Sequence, residues 1–141
     1  MGRATVILLI EDNPSDEVLI LRALKHSNIV NDVVVSRDGA QAQDYLFGRD
    51  KTELPQVVML DLRLPKVDGL EVLRRLRTDQ RTRRLPLVIF TSSIEEEDDL
   101  GGRRWEPINF VRKPIDPQQF FEATRRLGLS QQVSKELRAS E

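Results

Sequence analysis

Four charged side chains carry the chemistry this chain could do. Glu11 and Asp12 close the apolar run Val6-Ile7-Leu8-Leu9-Ile10, Asp61 closes Val57-Val58-Met59-Leu60, and Lys113 follows Phe110-Val111-Arg112. Two adjacent carboxylates repel each other, and a fold tolerates them more easily when a cation sits there. Magnesium takes oxygen ligands, keeps several waters and commonly uses one or two carboxylates. Asp12 and Asp61 suit direct ligation, and Glu11 suits holding a coordinated water. The competing reading of the pair is a solvated acidic turn, because Asp12 and Asn13 are both good helix caps. Asp61 shifts the balance. It stands in Met59-Leu60-Asp61-Leu62-Arg63-Leu64-Pro65 with aliphatics on both sides, where a carboxylate without a partner takes up a proton. A bound cation would keep it ionised and able to attack phosphorus, giving an acyl phosphate. Lys113 supplies a fixed charge for a carboxylate or a phosphoryl oxygen, although a Lys-Pro pair at a strand end is often just a turn. Thr91 offers a hydroxyl to one phosphoryl oxygen and the Ser92 N–H can bond another, while Thr91 equally suits capping a following helix.

These residues meet only if the runs they terminate are neighbouring strands. Short apolar runs that stop at turn-forming residues read as buried parallel strands. Such runs occur at about 5–10, 33–35, 57–60, 87–90 and 108–111. Helical periods lie between them. The first opens at Asn13-Pro14-Ser15, with Val18, Leu21 and Leu24 at three-residue steps and Ile20 widening the buried stripe. The turn Arg37-Asp38-Gly39 leads into a second, running to about Phe47. A third starts at Gly69 and buries Val72, Leu73 and Leu76, and a last one from about 117 to 127 buries Phe120, Phe121 and Leu127. The segment between the fourth and fifth strands is a poor helix. Residues 95–99 are all acidic, and Gly101 and Gly102 each cost about 1 kcal/mol relative to alanine. Strand–helix alternation implies an α/β fold, a parallel sheet with helices on both faces. Ligands of such sheets bind beyond the carboxyl ends of the strands, the edge that holds all four charges.

The bulk numbers fit one globular domain: 141 residues, 39% hydrophobic and 32% charged. A formal charge of −1 gives no push toward nucleic acid or membrane. No run approaches the roughly 18 apolar residues of a membrane span, and Met1-Gly2-Arg3 shows no signal-peptide pattern, so a cytoplasmic location is expected. The absence of cysteine excludes disulfides and thiolate metal sites, and one histidine excludes a multi-histidine site. Arginines 74, 75, 77, 81, 83 and 84 form a basic stretch best read as a solvated face, and His26 as a helix-end surface residue. No GxGxxG follows the first strand, which argues against a dinucleotide enzyme.

Taken in order, Ile10-Glu11-Asp12-Asn13, Leu60-Asp61-Leu62-Arg63-Leu64-Pro65 with Asp68-Gly69, Phe90-Thr91-Ser92-Ser93 and Phe110-Val111-Arg112-Lys113-Pro114 resemble the receiver domain of two-component response regulators. The match covers roughly residues 5–127. The resemblance implies a flavodoxin-like sheet of order 2-1-3-4-5. It implies that Asp61 accepts a phosphoryl group from a sensor histidine kinase, and that Glu11, Asp12, Asp61 and the Arg63 backbone carbonyl organise Mg2+. It further implies that Thr91 moves toward the phosphoryl group, Lys113 pairs it, and Phe110 swings inward as an aromatic reporter. Glu11-Asp12-Asn13-Pro14-Ser15-Asp16, Arg37-Asp38-Gly39 through Asp44-Tyr45-Leu46, and Thr91-Ser92-Ser93 with Glu96-Glu97-Asp98 look like single-domain regulators paired with phytochrome-type kinases.

The expected organisation is a receiver domain over 1–128 and a polar tail or short added helix over 129–141. Those last residues are too few for a DNA-binding module, so output through protein contacts, phosphate relay or competition for the kinase is expected. A homodimer is the expected assembly. Arg63 could overhang the acyl phosphate and set its lifetime, or it could equally be a solvent-facing arginine. Trp105 could anchor a partner, although a lone tryptophan is more commonly core. Gly101-Gly102 and Pro107 put a rigid signalling platform there in doubt. The alternative activity is a magnesium phosphohydrolase with Asp61 as nucleophile. In haloacid-dehalogenase-like enzymes a second Asp stands two residues after the nucleophile; here that position is Arg63.

Overall fold

The computed structural model describes residues 6–48, 54–64, 66, 68–93, 100 and 108–127. Five strands, β1 (Val6–Ile10), β2 (Asp32–Ser36), β3 (Val57–Asp61), β4 (Leu87–Thr91) and β5 (Ile108–Arg112), form one parallel sheet in the order β2-β1-β3-β4-β5. The helices are α1 (Pro14–His26), α2 (Gly39–Phe47), α3 (Gly69–Thr78) and α4 (Pro117–Arg125). The strand order is the flavodoxin-like one expected. The segment expected to be a poor helix lies outside the described residues, apart from buried Leu100, and so do Trp105 and the tail.

Three of the helices, α1, α2 and α4, start where a side-chain cap stops the extended chain. Asn13 accepts the Asp16 N–H at 3.0 Å, Asp38 accepts the Gln41 N–H at 2.8 Å, and Asp116 accepts the Gln118 N–H at 3.2 Å. Pro14 and Pro117 open α1 and α4, where no amide donor is needed.

Strand side chains alternate between two cores. Ile7, Leu9, Val57, Met59, Val88, Phe90 and Val111 face α1 and α4, with Phe90 stacked on Phe120 at 6.4 Å between ring centroids. Leu8, Ile10, Val58, Leu60, Leu87 and Ile89 face α2 and α3. The ladder continues one residue past two strands: the Glu11 N–H bonds the Ser36 carbonyl at 3.0 Å, and the Lys113 N–H bonds the Thr91 carbonyl at 2.7 Å. Glu11, Asp61 and Lys113 therefore share the parity of Leu9, Met59 and Val111 and lie on the α1–α4 side. Thr91 and Phe110 take the opposite parity, and Phe110 packs against the α2–α3 core.

One expectation fails in α1. Val18 is 50% exposed, while Ile20, Ala23 and Leu24 are buried. The buried stripe runs through positions 16, 20 and 23–24, so the helix is rotated to bring Asp16 inward and Val18 out. A three-residue step from Val18 drifts off the inner face because the helical period is 3.6. In α4, Phe120 is fully buried and Phe121 only half-buried.

The basic stretch is largely the solvated face expected: Arg74, Arg75, Arg81, Arg83 and Arg84 are exposed, and the first two and Arg77 have contacts within the domain. Arg74 pairs with Glu71 at 2.7 Å, Arg75 lies 4.2 Å over the Phe47 ring, and Arg77 donates to the Leu85 carbonyl at 2.9 Å. Burial pushes the Arg77 guanidinium down to about 10. His26 is an exposed residue in the last turn of α1.

Gly69 closes the loop that follows Asp61. Its N–H donates to the Leu62 carbonyl at 3.2 Å, and a Cβ there would meet that oxygen at 2.5 Å and the Leu62 Cα at 2.6 Å. Both neighbours are backbone and cannot rotate aside. Gly69→Ala is expected to cost about 1–3 kcal/mol, read as a lower urea midpoint.

Candidate functional site

The carboxyl edge of the sheet gathers the residues singled out in the sequence. Glu11, Asp12 and Asp61 each offer a carboxylate oxygen, and these oxygens lie within 4.8 Å of one another. Glu11 and Asp61 are buried and Asp12 is exposed. One exposed and two buried carboxylates, open to solvent on one side, form the oxygen-only donor set that suits a hydrated hard cation.

Lys113 reaches back over this cluster. Its Nζ lies 3.0 Å from Asp61 Oδ2, 3.1 and 3.3 Å from the two oxygens of Glu11, and 2.7 Å from Asp16 Oδ2. The bond between Lys113 and Pro114 is cis. The other oxygen of Asp61, Oδ1, accepts the Arg63 N–H at 3.0 Å, which ties the loop to the carboxylate it follows. The Arg63 residue itself is exposed.

These neighbours set the protonation. The Glu11 carboxyl is pushed up to about 8, first by burial, then by a hydrogen bond to Asp61 and that residue's negative charge; Lys113 only partly offsets them. Burial alone would lower the Lys113 ammonium, but hydrogen bonds to Asp16 and Asp61 and the charges of Asp61 and Glu11 hold it above the ordinary lysine range.

Thr91 is buried at the end of β4, beside the strand that bears Asp61, and Phe110 is half-buried on β5, paired with Ile89 two residues before Thr91. The sequence reading missed Asp16 as a site residue. The available signal was its spacing: four residues before Ile20, it continues the buried stripe of α1 into the site.

The chain is similar in sequence and fold to known proteins. The family model described as "Response regulator receiver domain" matches residues 7–125. The probable methanogenesis regulatory protein FilR2 of Methanothrix harundinacea is 42% identical over 66% of this chain, and the match spans only 61% of FilR2. Response regulator Rcp1 of Synechocystis is 38% identical, with 83% of this chain and 82% of that protein covered. The Mn2+-bound crystal structure of Rcp1 superposes with a TM-score of 0.71 at 30% identity, over 87% of this chain and 91% of that one. The structure of the bacteriophytochrome response regulator RtBRR gives a TM-score of 0.83 at 42% identity, over 91% of this chain and 80% of that one. By its strand order, its acidic edge and the family match over nearly all of its described length, the chain belongs to the response regulator receiver domain family, whose members act as phosphoacceptor switches.

Proposed function

We propose that this chain is a magnesium-dependent phosphorylation switch with Asp61 as the phosphoacceptor. The observation that carries the reading is the Lys113 ammonium set 3.0 Å from Asp61, above three carboxylates clustered within 4.8 Å. An Asp61 oxygen attacks phosphorus, the bond to the donor nitrogen of a kinase phosphohistidine breaks, and the imidazole leaves with the electron pair and takes a proton. Glu11, Asp12, Asp61 and the Arg63 carbonyl would hold Mg2+, which when bound supplies positive charge for the phosphoryl oxygens. Thr91 and Lys113 contribute a hydroxyl and an ammonium to those oxygens. Phe110, held on the Thr91 side of the sheet, reports the change to the surface. The bacteriophytochrome regulators among the relatives favour a phytochrome-type histidine kinase as donor. Self-association of the receiver belongs to the same reading and is checked by light scattering with and without phosphorylation. Among the described residues, no helix is long and apolar enough to cross a membrane.

Intact-protein mass after incubation with Mg2+ and acetyl phosphate tests the switch. One phosphoryl group is expected, and none with a chelator present. A chain that binds Mg2+ yet stays unmodified, both by acetyl phosphate and by a phosphorylated histidine kinase, would sink the reading. The phosphohydrolase alternative lacks its second carboxyl: two residues after Asp61 stands Arg63, which offers no carboxylate to act as acid and base. Arg63 instead limits water access. Arg63→Asn is expected to speed loss of the phosphoryl group about tenfold, roughly 1.4 kcal/mol on the barrier; equal rates would end that idea.

The raised Glu11 carboxyl adds a pH dependence. Its folded value, about 8, lies above the ordinary 4.5. The folded state therefore holds a proton that the unfolded chain releases, and metal-free stability falls as pH rises from 4.5 to about 8. Mg2+ must displace that proton, so the gain in Tm on adding Mg2+ is expected to be larger at pH ~8.5 than at ~6.5. A gain independent of pH would show that Glu11 is not protonated in the metal-free protein.

A further inference from the structure

We propose that Asp16 is a positioning residue for Lys113: it holds the ammonium in the resting protein and gives it up when Asp61 carries a phosphoryl group. The first turn of α1 then loses its tie to the end of β5. This rests on the reading of Asp61 as phosphoacceptor.

An ammonium has three N–H groups. Those of Lys113 face three carboxylates, Glu11, Asp16 and Asp61, and the shortest contact is to Asp16 at 2.7 Å. All three donors are committed, so a new oxygen can be bonded only by releasing an old one. Burial decides which. The Glu11 side chain is 0% exposed, Asp61 9% and Asp16 24%. Glu11 cannot regain water, whereas Asp16 can return to solvent at little cost. Asp61 becomes the acyl phosphate itself, and its phosphoryl oxygens carry more negative charge than the carboxylate they extend. A second fixed anion on the same ammonium is then repelled.

The position of Asp16 makes the exchange consequential. Its N–H caps onto Asn13 Oδ1 at 3.0 Å, and the next amide, Glu17, makes the first hydrogen bond of the helix to the Asn13 carbonyl at 2.9 Å. Glu17 is paired with Arg37, beyond the end of β2, at 2.9 Å. The first turn of α1 is thus held from both flanks of the sheet, through Asp16 toward β5 and Glu17 toward β2. Loss of the Asp16 pair leaves it held from one side only.

Amide hydrogen exchange at Glu17 and Val18 tests this in the full chain, for wild type, Asp16→Asn and Asp16→Glu. Each is measured with Mg2+ alone and with Mg2+ plus beryllium fluoride, an acyl-phosphate mimic. Phosphoryl uptake from acetyl phosphate is followed by mass on the same samples. Exchange in wild type is expected to rise about tenfold with the mimic. In Asp16→Asn it is expected to be fast already and to change less than about twofold, while Asp16→Glu recovers the step. A merely structural aspartate would alter stability but leave the step intact. If wild type takes up phosphoryl and Glu17 exchange does not move, or Asp16→Asn keeps the full step, Lys113 trades only its Asp61 contact and the proposal falls. If wild type takes up no phosphoryl from any donor, the phosphoacceptor reading falls and this inference with it.

Discussion

Asp61→Asn is expected to abolish phosphoryl uptake, lowering the rate by at least a thousandfold, ~4 kcal/mol on the barrier. The amide keeps the shape, so the Arg63 N–H at 3.0 Å and the fold around it should survive. What disappears is the anionic oxygen that attacks phosphorus and one of the three carboxylates at the cation site. The substitution also removes the negative charge that helps raise Glu11, so the variant should be no less stable than wild type near neutral pH. Mass spectrometry and urea unfolding on the same preparation check both statements. Phosphoryl uptake by a folded Asp61→Asn protein would place the acceptor elsewhere.

Lys113→Met should have the largest effect on stability. The ammonium touches Glu11, Asp16 and Asp61 within 3.3 Å. Removing it leaves three carboxylates facing one another, two of them nearly or fully buried. Breaking a buried ion pair by deleting one partner costs about 3–5 kcal/mol, well above the ~1 kcal/mol ceiling of an exposed pair. The sign with pH follows from the shifts. The Lys113 ammonium is held above its ordinary 10.5, so its stabilisation is complete below that pH and is lost only as pH rises through the higher folded value. Glu11 in the variant no longer has the ammonium that lowered it, so it keeps its proton more firmly. The deficit should therefore stay nearly level between pH ~5 and ~7, where Glu11 is protonated in both proteins, and widen above ~8. Mg2+ should recover part of it by replacing the lost positive charge. Urea unfolding of wild type and variant at three pH values, with and without Mg2+, measures all of this. A deficit under ~1 kcal/mol would mean that Lys113 is a surface lysine in effect.

Much of this was legible in one dimension, for a local reason. The apolar runs of β1, β3 and β4, the caps Asn13 and Asp38 and the prolines at 14 and 117 are governed by neighbours in sequence, so strands and helix starts could be read to within a residue or two. That Glu11, Asp61 and Lys113 share one edge also followed, because each ends an apolar run, but their meeting there depended on the strand order. The reading of α1 failed where long-range packing intervened. Its inner face is set by the sheet below and by Lys113, 97 residues from Asp16, so Leu21 and Leu24 pack inward as expected and only Val18 of that spacing turns outward. Strand order came from family resemblance and not from pattern, since alternation implies parallel crossovers without ranking them. The sequence alone determined which residues could do chemistry and at which edge. Only the tertiary structure decided that one ammonium serves three carboxylates, because distances between chain-remote charges are set by packing and burial sets their protonation.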